Sequence, residues 1–325
     1  MCDIVPHSCS RSGGVEIKPE VAQAIKRSTD LRRQVLQRLP RHERLRLLEA
    51  LLVDFFVEQR SILLKWAGLT GQSAQIDTGY IAQHVASIVL AEPGQGFKGK
   101  GVDLADGSEV KSAAILSGVD RPRWNHDLGT PAGDLERINK GDLPKWQVYL
   151  KAPVVWYLLF DRVVSASTEP ELRVRAWCVD AQRDEAWRDL IHRFVAQRRP
   201  KQYNLQLHPP VGYDDSVVVN TLGNLNFANV KVLEARVANF LASTQDVEVR
   251  WVQAPPESVR PIEGRTIPLP YGGRSARPSR LSTVDDVAID VAQLKSLVPS
   301  LDIDDLLVAI TTETQAELAD FEDRQ

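Results

Sequence analysis

Features that mark several familiar classes of protein are scarce or missing in this chain of 325 residues. It has three cysteines, Cys2, Cys9 and Cys178, and none forms a C-x-x-C pair, so the sequence predicts neither a disulfide framework nor a zinc site. No apolar run reaches the ~18 residues that a membrane helix needs. The N-terminus has no signal-peptide pattern. We therefore expect a protein of the reducing cytoplasm with no membrane partner.

An excess of positive charge is also missing, since the net charge is −3. Eleven of the acidic residues lie in 283–325, and outside that segment 38 basic residues face 32 acidic ones. Local basic clusters govern phosphate binding more than total charge does. The composition therefore permits DNA as a partner. The chain has no internal repeat and no nucleotide-binding glycine loop, which argues against a nucleotide cofactor and against helicase or ATPase function.

The most informative segment is 99–111, which reads GKGVDLADGSEVK. Asp106-Gly107 lies between two short strand-like runs and predicts a tight hairpin, because glycine can adopt positive φ. A two-residue turn would place Glu109 on the opposite face of the sheet from Asp103. A three-residue loop, 105–107, with Gly107 left-handed and a bulge, would instead place Asp103 across from Glu109, with Cβ atoms roughly 5 Å apart. Lys111 would then share their face.

The second geometry predicts a site for metal-assisted hydrolysis of a phosphodiester bond. Two close carboxylates, Asp103 and Glu109, would repel each other unless a hard divalent cation such as Mg²⁺ bound between them, with the Val110 carbonyl as a further ligand. Lys111 could position or help deprotonate the attacking water, or neutralise charge on the phosphate. The alternative is an ordinary surface hairpin whose charged residues face solvent.

At these residues the chain resembles the PD-(D/E)XK nuclease superfamily, in which an Asp precedes a Glu-x-Lys. Asp103, Glu109 and Lys111 match that pattern, and Val102 stands where the superfamily name has proline. Many relatives supply a further acid from the helix before the Asp, whereas here the predicted helix 79–90 offers Gln83. A neutral amide could orient a water molecule but binds a cation weakly.

A narrower resemblance extends over residues 73–240, which are similar to the MamI-type family of type II restriction endonucleases. It rests on the segments GKGVDLADGSEVKSAAILSGVDRPRWNH, YNLQLHPP and VVVNTLGNLNFANVKVLEARV. The resemblance implies a Mg²⁺-dependent enzyme that cuts double-stranded DNA at a short defined sequence. It also implies a homodimer whose two-fold axis matches a palindromic site.

The whole chain is predicted to be an α/β protein with a PD-(D/E)XK nuclease core, a mixed sheet flanked by helices, and helical additions at both ends. The predicted segments are a disordered tail (1–16), an N-terminal helical region (17–72) broken at Leu39-Pro40, the core with its recognition elements (73–252), an irregular linker (253–282) and acidic helices (283–325). Within the core, 154–160 and 172–178 are predicted strands, and Asp180 is the predicted cap of the next helix.

Several polar residues are candidates for DNA contact, because Asn and Gln pair with adenine while Arg and Lys suit phosphates or guanine. Asn125 and His126 follow the hairpin in a polar connection, where His126 is open to three interpretations: general base, positioning group or structural residue. The remaining candidates are Arg198, Arg199, Lys201, Asn204, Gln206, Asn220 and Asn224. Stretches of this composition are also typical of turns.

The C-terminal segment is predicted to form two amphipathic helices. Val284, Val287, Ala288, Val291 and Leu294 share one predicted stripe, and Leu306, Leu307 and Ile310 share another. Their acidity disfavours DNA, so we expect them to form a dimer interface or to pack on the N-terminal helices. From these patterns and the resemblance, we expect the protein to be a sequence-specific endonuclease. The rival hypotheses are a structure-specific nuclease on the same core and a noncatalytic DNA-binding protein.

Overall fold

The structure is a computed structural model that describes residues 18–72, 74, 76–94, 102–116, 122–163, 171–209, 231–238, 246–252 and 283–322. The predicted tail 1–16 and linker 253–282, and the candidates Asn220 and Asn224, lie outside these residues. Contacts divide the chain into two compact units. One comprises 1–35, 95–102 and 266–325, and the other comprises 36–94 and 103–265. The predicted helical region 17–72 is therefore divided between them.

The first unit contains most of helix α1 (Pro19–Arg38), together with α8 (Val291–Leu297) and α9 (Ile303–Glu322). Arg27 of α1 donates a hydrogen bond from Nη2 to Oγ1 of Thr311 in α9, at 3.0 Å. Ile303, Leu306 and Ile310 are buried, which confirms the second predicted stripe at two of its three positions.

The prediction that the first C-terminal stripe forms a single helix was wrong. A short 3₁₀ turn at Asp285–Val287 ends before Ala288, and α8 begins after Asp290. The Asp290 carboxylate accepts a hydrogen bond from the Gln293 amide at 2.9 Å. Asp290 therefore acts as an N-cap that starts a new helix within the apolar pattern.

In the second unit, α2 (Arg41–Leu52), a π-helical turn (Val53–Gln59) and α3 (Arg60–Thr70) follow one another directly. The predicted break at Leu39-Pro40 is confirmed, because α1 ends at Arg38 and α2 begins at Arg41. Proline lacks the N–H that a continuous helix would need there. Helix α4 (Thr78–Leu90) matches the predicted helix that carries Gln83, with Asp77 as its N-cap.

The second unit is built on a five-stranded mixed sheet with the order β1-β3-β4-β6-β7. β1 pairs in parallel with β3, and the remaining neighbours are antiparallel. The strands are β1 (Glu109–Ile115), β3 (Val155–Val163), β4 (Glu171–Val179), β6 (Lys231–Ala238) and β7 (Asp246–Trp251). A separate antiparallel ribbon pairs β2 (Trp124–Asp127) with β5 (Asn204–Leu207). The other helices described are α5 (Pro131–Asn139), α6 (Lys145–Lys151) and α7 (Glu185–Gln197).

The alternation of side chains along β3 produces a core on each face of the sheet. Trp156, Leu158 and Phe160 face a cluster that includes apolar residues of α2, the π-helical turn and α4. Val155, Tyr157 and Leu159 face a second cluster with residues of α6, α7 and the β2–β5 ribbon. β3 is thus covered on both sides, as its near-continuous apolar run predicts.

The predicted strands at 154–160 and 172–178 are confirmed within one to three residues at their ends. Two local predictions were wrong. The segment 124–126 is in strand β2 rather than in a polar connection. Asp184 caps α7 by accepting the Trp187 amide at 2.8 Å, whereas Asp180 accepts the amides of Gln182 and Arg183 in the preceding turn.

The observed architecture confirms an α/β fold in which a mixed sheet is flanked by helices. The assignment of this core to the PD-(D/E)XK superfamily stays a prediction. Among the helices of the described ranges, none is both long enough and apolar enough to cross a membrane.

Candidate active site

A tight turn at 104–107 brings Asp103 close to the start of β1. The Gly107 amide donates to the Leu104 carbonyl at 3.1 Å, and Gly107 has φ of 93°. The amides of Asp103 and Leu104 both donate to the Ser108 carbonyl. This pattern is the predicted three-residue loop with a left-handed glycine, and the two-residue alternative is excluded.

Among the described residues, the turn does not belong to a two-stranded hairpin ladder, which corrects the sequence expectation. The main partner of β1 is β3, and before the turn an isolated bridge links Leu104 to Gly94. Because the long buried β3 offers a continuous partner, it takes one edge of β1, while Asp103 lies beside the other edge.

The Asp103 carboxylate connects that free edge to α4. Oδ2 accepts a hydrogen bond from the Val110 amide at 2.8 Å, and Oδ1 accepts one from Nε2 of Gln83 at 2.7 Å. The N–H and C=O of one strand residue point to the same side, so the Val110 carbonyl is directed toward the edge where Asp103 lies. The structure therefore brings Gln83, Asp103 and Val110 together.

Glu109 and Lys111 lie two residues apart on β1, on one face of the strand, and their side chains form an ion pair. The residue Glu109 is only 9% exposed. This ion pair compensates two charges that burial would otherwise penalise.

Burial shapes the electrostatics of the whole group. It raises the pKa of Asp103 to about 7, and the negative charge of Glu109 acts in the same direction. Burial alone would lower the pKa of Lys111, but the charge and hydrogen bond of Glu109, together with Tyr149 and Asp103, outweigh burial and raise this pKa above its usual value. The site therefore holds two carboxylates, Asp103 and Glu109, that repel each other, with the charged ammonium of Lys111 beside them.

Tyr149 of α6 is a neighbour that the sequence patterns did not indicate. Its ring centroid lies 5.4 Å from Nζ of Lys111, and its hydroxyl is hydrogen-bonded to that ammonium. Burial raises the pKa of Tyr149 to about 12, so the hydroxyl is neutral. No local signal in residues 145–151 could have revealed this contact, because it depends on how α6 packs against β1.

The structure places two predicted DNA-contacting residues in the interior. His126 is fully buried, and its Nε2 is hydrogen-bonded to the Tyr157 hydroxyl at 2.7 Å. Burial lowers the pKa of His126 to about 3. This buried, hydrogen-bonded position fits the structural interpretation of His126.

Arg198 also has a structural environment. Its guanidinium donates to the carbonyls of Leu128 (3.0 Å) and Gly129 (2.6 Å) and forms an ion pair with Asp134, and its side chain is 5% exposed. These groups occupy the guanidinium inside the protein, so its contacts in this structure are structural.

The remaining described candidates lie on or beside the solvent-facing side of the β2–β5 ribbon. Asn125 is exposed, and Asn204 and Gln206 are partly exposed, while Trp124, His126, Leu205 and Leu207 fill the buried side. Nδ2 of Asn204 donates to Oδ1 of Asn125 at 3.3 Å. Arg199 and Lys201 are exposed in the turn that leads into β5.

The donor set suits a cation held by few protein ligands. Within the described ranges, no group of three or more His, Cys, Asp or Glu side chains is arranged to hold a metal ion. Asp103 and Glu109 supply two carboxylates, and Gln83 supplies a neutral amide.

Carboxylates, an amide and a lysine gather at one edge of the mixed sheet, and this set of groups is compatible with a nuclease. Comparisons with known proteins give the family. Residues 65–243 match the family model described as MamI restriction endonuclease. The type II restriction enzyme MamI of Microbacterium ammoniaphilum is 52% identical over 305 residues, which are 93% of this chain and 98% of that enzyme. The chain belongs to the MamI restriction endonuclease family. No solved structure matches it significantly.

Proposed function

We propose that this restriction endonuclease cleaves double-stranded DNA with Mg²⁺ held by Asp103, Glu109 and the Val110 carbonyl, and that Lys111 acts on the reacting phosphate. The observation that carries the proposal is the convergence of Gln83, Asp103, Glu109 and Lys111 at one end of β1. Sequence-specific DNA cleavage follows from membership of the family. The metal and the residue roles are our inference.

The fit to a divalent cation rests on the chemistry of the donors. Mg²⁺ prefers carboxylate and carbonyl oxygens and commonly uses only one or two carboxylates from the protein. Burial, and after it the negative charge of Glu109, raise the pKa of Asp103. A cation at this position relieves the repulsion between Asp103 and Glu109.

The residues have distinct roles in this scheme. When bound, Mg²⁺ supplies Lewis-acid stabilisation of the phosphate and activates the attacking water. Gln83 and the Val110 amide orient the Asp103 carboxylate through their hydrogen bonds. Lys111 presents its ammonium to a phosphoryl oxygen and stabilises the charge that grows there.

We assign DNA recognition to the exposed side of the β2–β5 ribbon. The B-DNA major groove admits a two-stranded β-ribbon, and Asn and Gln amides can pair bidentately with adenine. Asn125, Asn204 and Gln206 supply amides on that side, and Arg199 and Lys201 supply cations for the adjacent phosphates. We also propose a PD-(D/E)XK core and a two-fold homodimer, since one active site per chain must serve two strands.

The decisive experiment is digestion of defined linear and plasmid DNA with and without Mg²⁺, followed by sequencing of the ends. Discrete fragments with a common end sequence support the proposal. Cleavage only at junctions or lesions would favour a structure-specific nuclease. Binding without any Mg²⁺-dependent cleavage would favour a noncatalytic DNA-binding protein.

Substitutions at the site test the assigned roles. Asp103→Ala, Glu109→Ala and Lys111→Ala should each reduce cleavage by at least about 100-fold, because each removes a group that stabilises the reacting phosphate. Circular dichroism should show that the fold is retained. Glu58→Ala, which removes an exposed carboxylate from the π-helical turn, is the control. A variant of Asp103, Glu109 or Lys111 that cleaves at the wild-type rate would remove that residue from the site.

A further inference from the structure

Lys111 needs to be held in place if its ammonium is to meet a phosphoryl oxygen. A lysine side chain loses up to about 2 kcal/mol of rotamer entropy when it is fixed. Its ion pair with Glu109 provides one restraint. A cation bound by Glu109 would compete for the same carboxylate, so that restraint weakens when the site is loaded.

Tyr149 provides a restraint that a cation does not remove. Its hydroxyl is neutral and hydrogen-bonded to the ammonium, and its ring centroid lies 5.4 Å from Nζ. An aromatic ring within about 6 Å of an ammonium adds cation–π attraction when the ring face is presented. A neutral hydroxyl is a weak ligand for Mg²⁺ compared with a carboxylate.

Tyr149 packs against the core behind it. Its ring centroid lies 5.5 Å from that of His126, whose Nε2 is hydrogen-bonded to the Tyr157 hydroxyl. Nε1 of Trp187 in α7 donates to the same hydroxyl at 2.8 Å. His126 belongs to β2, so Tyr149 packs between the ribbon proposed to contact DNA and the lysine proposed to act on phosphate.

We infer that Tyr149 is a positioning residue of the nuclease site, which orients the Lys111 ammonium through its hydroxyl and ring. This inference rests on the proposed function of Lys111. It assigns a positioning role to α6, which lies outside the Asp, Glu-x-Lys pattern.

The test is Tyr149→Phe, which removes the hydroxyl and keeps the ring. Hydrogen bonds to charged groups contribute about 1.5–3 kcal/mol, so the single-turnover cleavage rate at saturating DNA and Mg²⁺ should fall roughly 10- to 100-fold. The DNA concentration that gives half-maximal rate should stay unchanged, as should the affinity for the same DNA in Ca²⁺. Loss of a residue with a purely structural role would not lower the cleavage rate while leaving the half-saturating DNA concentration and the DNA affinity unchanged.

Tyr157→Phe is the matched control, because it removes a buried hydroxyl from the same core and breaks two hydrogen bonds. It should lower the melting temperature more than Tyr149→Phe does, but lower the cleavage rate less. If the cleavage rates of the two variants instead follow their melting temperatures, Tyr149 acts only through stability and the inference fails.

The outcomes separate this inference from the function on which it rests. Wild-type protein that does not cleave DNA with Mg²⁺ defeats the proposed function and the inference together. Wild-type cleavage combined with an unchanged rate for Tyr149→Phe defeats only the positioning role. Wild-type cleavage with a reduced rate and unchanged half-saturation for Tyr149→Phe supports both.

Discussion

Two opposing influences act on the Asp103 carboxylate. It accepts hydrogen bonds from Gln83 and from the Val110 amide, which favour its charged form. Burial and the charge of Glu109 oppose this and raise its pKa to about 7. Desolvation wins because two hydrogen bonds do not replace the water that an ionised carboxylate loses.

The raised pKa of Asp103 predicts a pH dependence of stability in metal-free protein. Between pH 4 and 7 the unfolded chain has released a proton that the folded protein still holds, so the free energy of unfolding falls as pH rises through this range. Asp103→Asn removes this contribution. Between pH 5 and 7.5 the free energy of unfolding should fall by up to about 3 kcal/mol more for the wild type than for the variant.

Urea unfolding in EDTA at several pH values measures this difference. His126 remains in both proteins, so its own titration cancels from the comparison. Parallel pH profiles for wild type and Asp103→Asn would contradict the raised pKa. Adding Mg²⁺ at pH 7.5 should stabilise the wild type and leave the variant nearly unchanged.

Gln83 offers a second test, because its amide lies 2.7 Å from the Asp103 carboxylate. Gln83→Glu places a further carboxylate there, which should destabilise the metal-free protein by repulsion. The same change should tighten Mg²⁺ binding by about one order of magnitude, because affinity rises with ligand charge. Calorimetric titration and thermal melts measure the two effects.

Gln59→Glu, which makes the same charge change at an exposed position of the π-helical turn, is the matched control. Equal Mg²⁺ affinity for Gln83→Glu and Gln59→Glu would show that residue 83 does not face the cation.

The two sides of the β2–β5 ribbon differ in chemistry. One side supplies Trp124, His126, Leu205 and Leu207 to the core, and the other side presents amides. A one-residue shift in pairing would exchange the two sides, so burial of the apolar set fixes which polar groups face solvent. The register pairs Asn125 with Gln206 and Asp127 with Asn204.

If the ribbon reads bases, Gln206→Ala should reduce the preference for cognate over unrelated DNA by roughly 10- to 100-fold, the value of one bidentate contact. Lys201→Ala should weaken binding to both DNAs alike and lower the salt dependence by about one ion, because a phosphate contact carries no sequence information. Fluorescence anisotropy in Ca²⁺ at several salt concentrations measures both effects.

The control is Gln293→Ala, which removes an exposed amide from α8. Retention of full sequence preference by Gln206→Ala would exclude a base contact at that residue.

Across the whole molecule, charge is distributed unevenly between segments. The C-terminal segment 283–325 holds eleven acidic residues, while the remainder of the chain is net positive. Arg27 of α1 contacts Thr311 of α9, and three apolar residues of α9 are buried within the chain itself. These contacts favour packing of the acidic helices on α1 over their use as a dimer interface.

Truncation before Thr283 tests this preference. The shortened chain should melt at a lower temperature and lose helical circular dichroism beyond that of the deleted residues, because α1 loses a packing partner. Light scattering on the same samples reports assembly. A truncated chain that keeps its stability but changes from dimer to monomer would contradict intramolecular packing and support a dimer interface in 283–325.

Local chemistry in the chain was sufficient for much of the fold and for the catalytic candidates. The break at Pro40, the buried run of β3 and the alternation of β4 follow from backbone and side-chain properties that act over a few residues. Gly107 determined the turn for the same reason, since glycine adopts positive φ without a steric penalty. Asp103, Glu109 and Lys111 lie within nine residues, so their proximity depends little on distant parts of the chain.

Tertiary packing determined the contacts between distant residues, which no local sequence pattern indicates. β3 became the partner of β1, although a hairpin was the nearer option, because it offers a long apolar strand. In the interior, His126 is hydrogen-bonded to Tyr157, which is 31 positions away in the chain. Arg198 is paired there with Asp134, which is 64 positions away. Tyr149 likewise reaches Lys111 across 38 positions. Contacts between distant segments depend on how elements bury their apolar faces together, so their physical cause is the core as a whole.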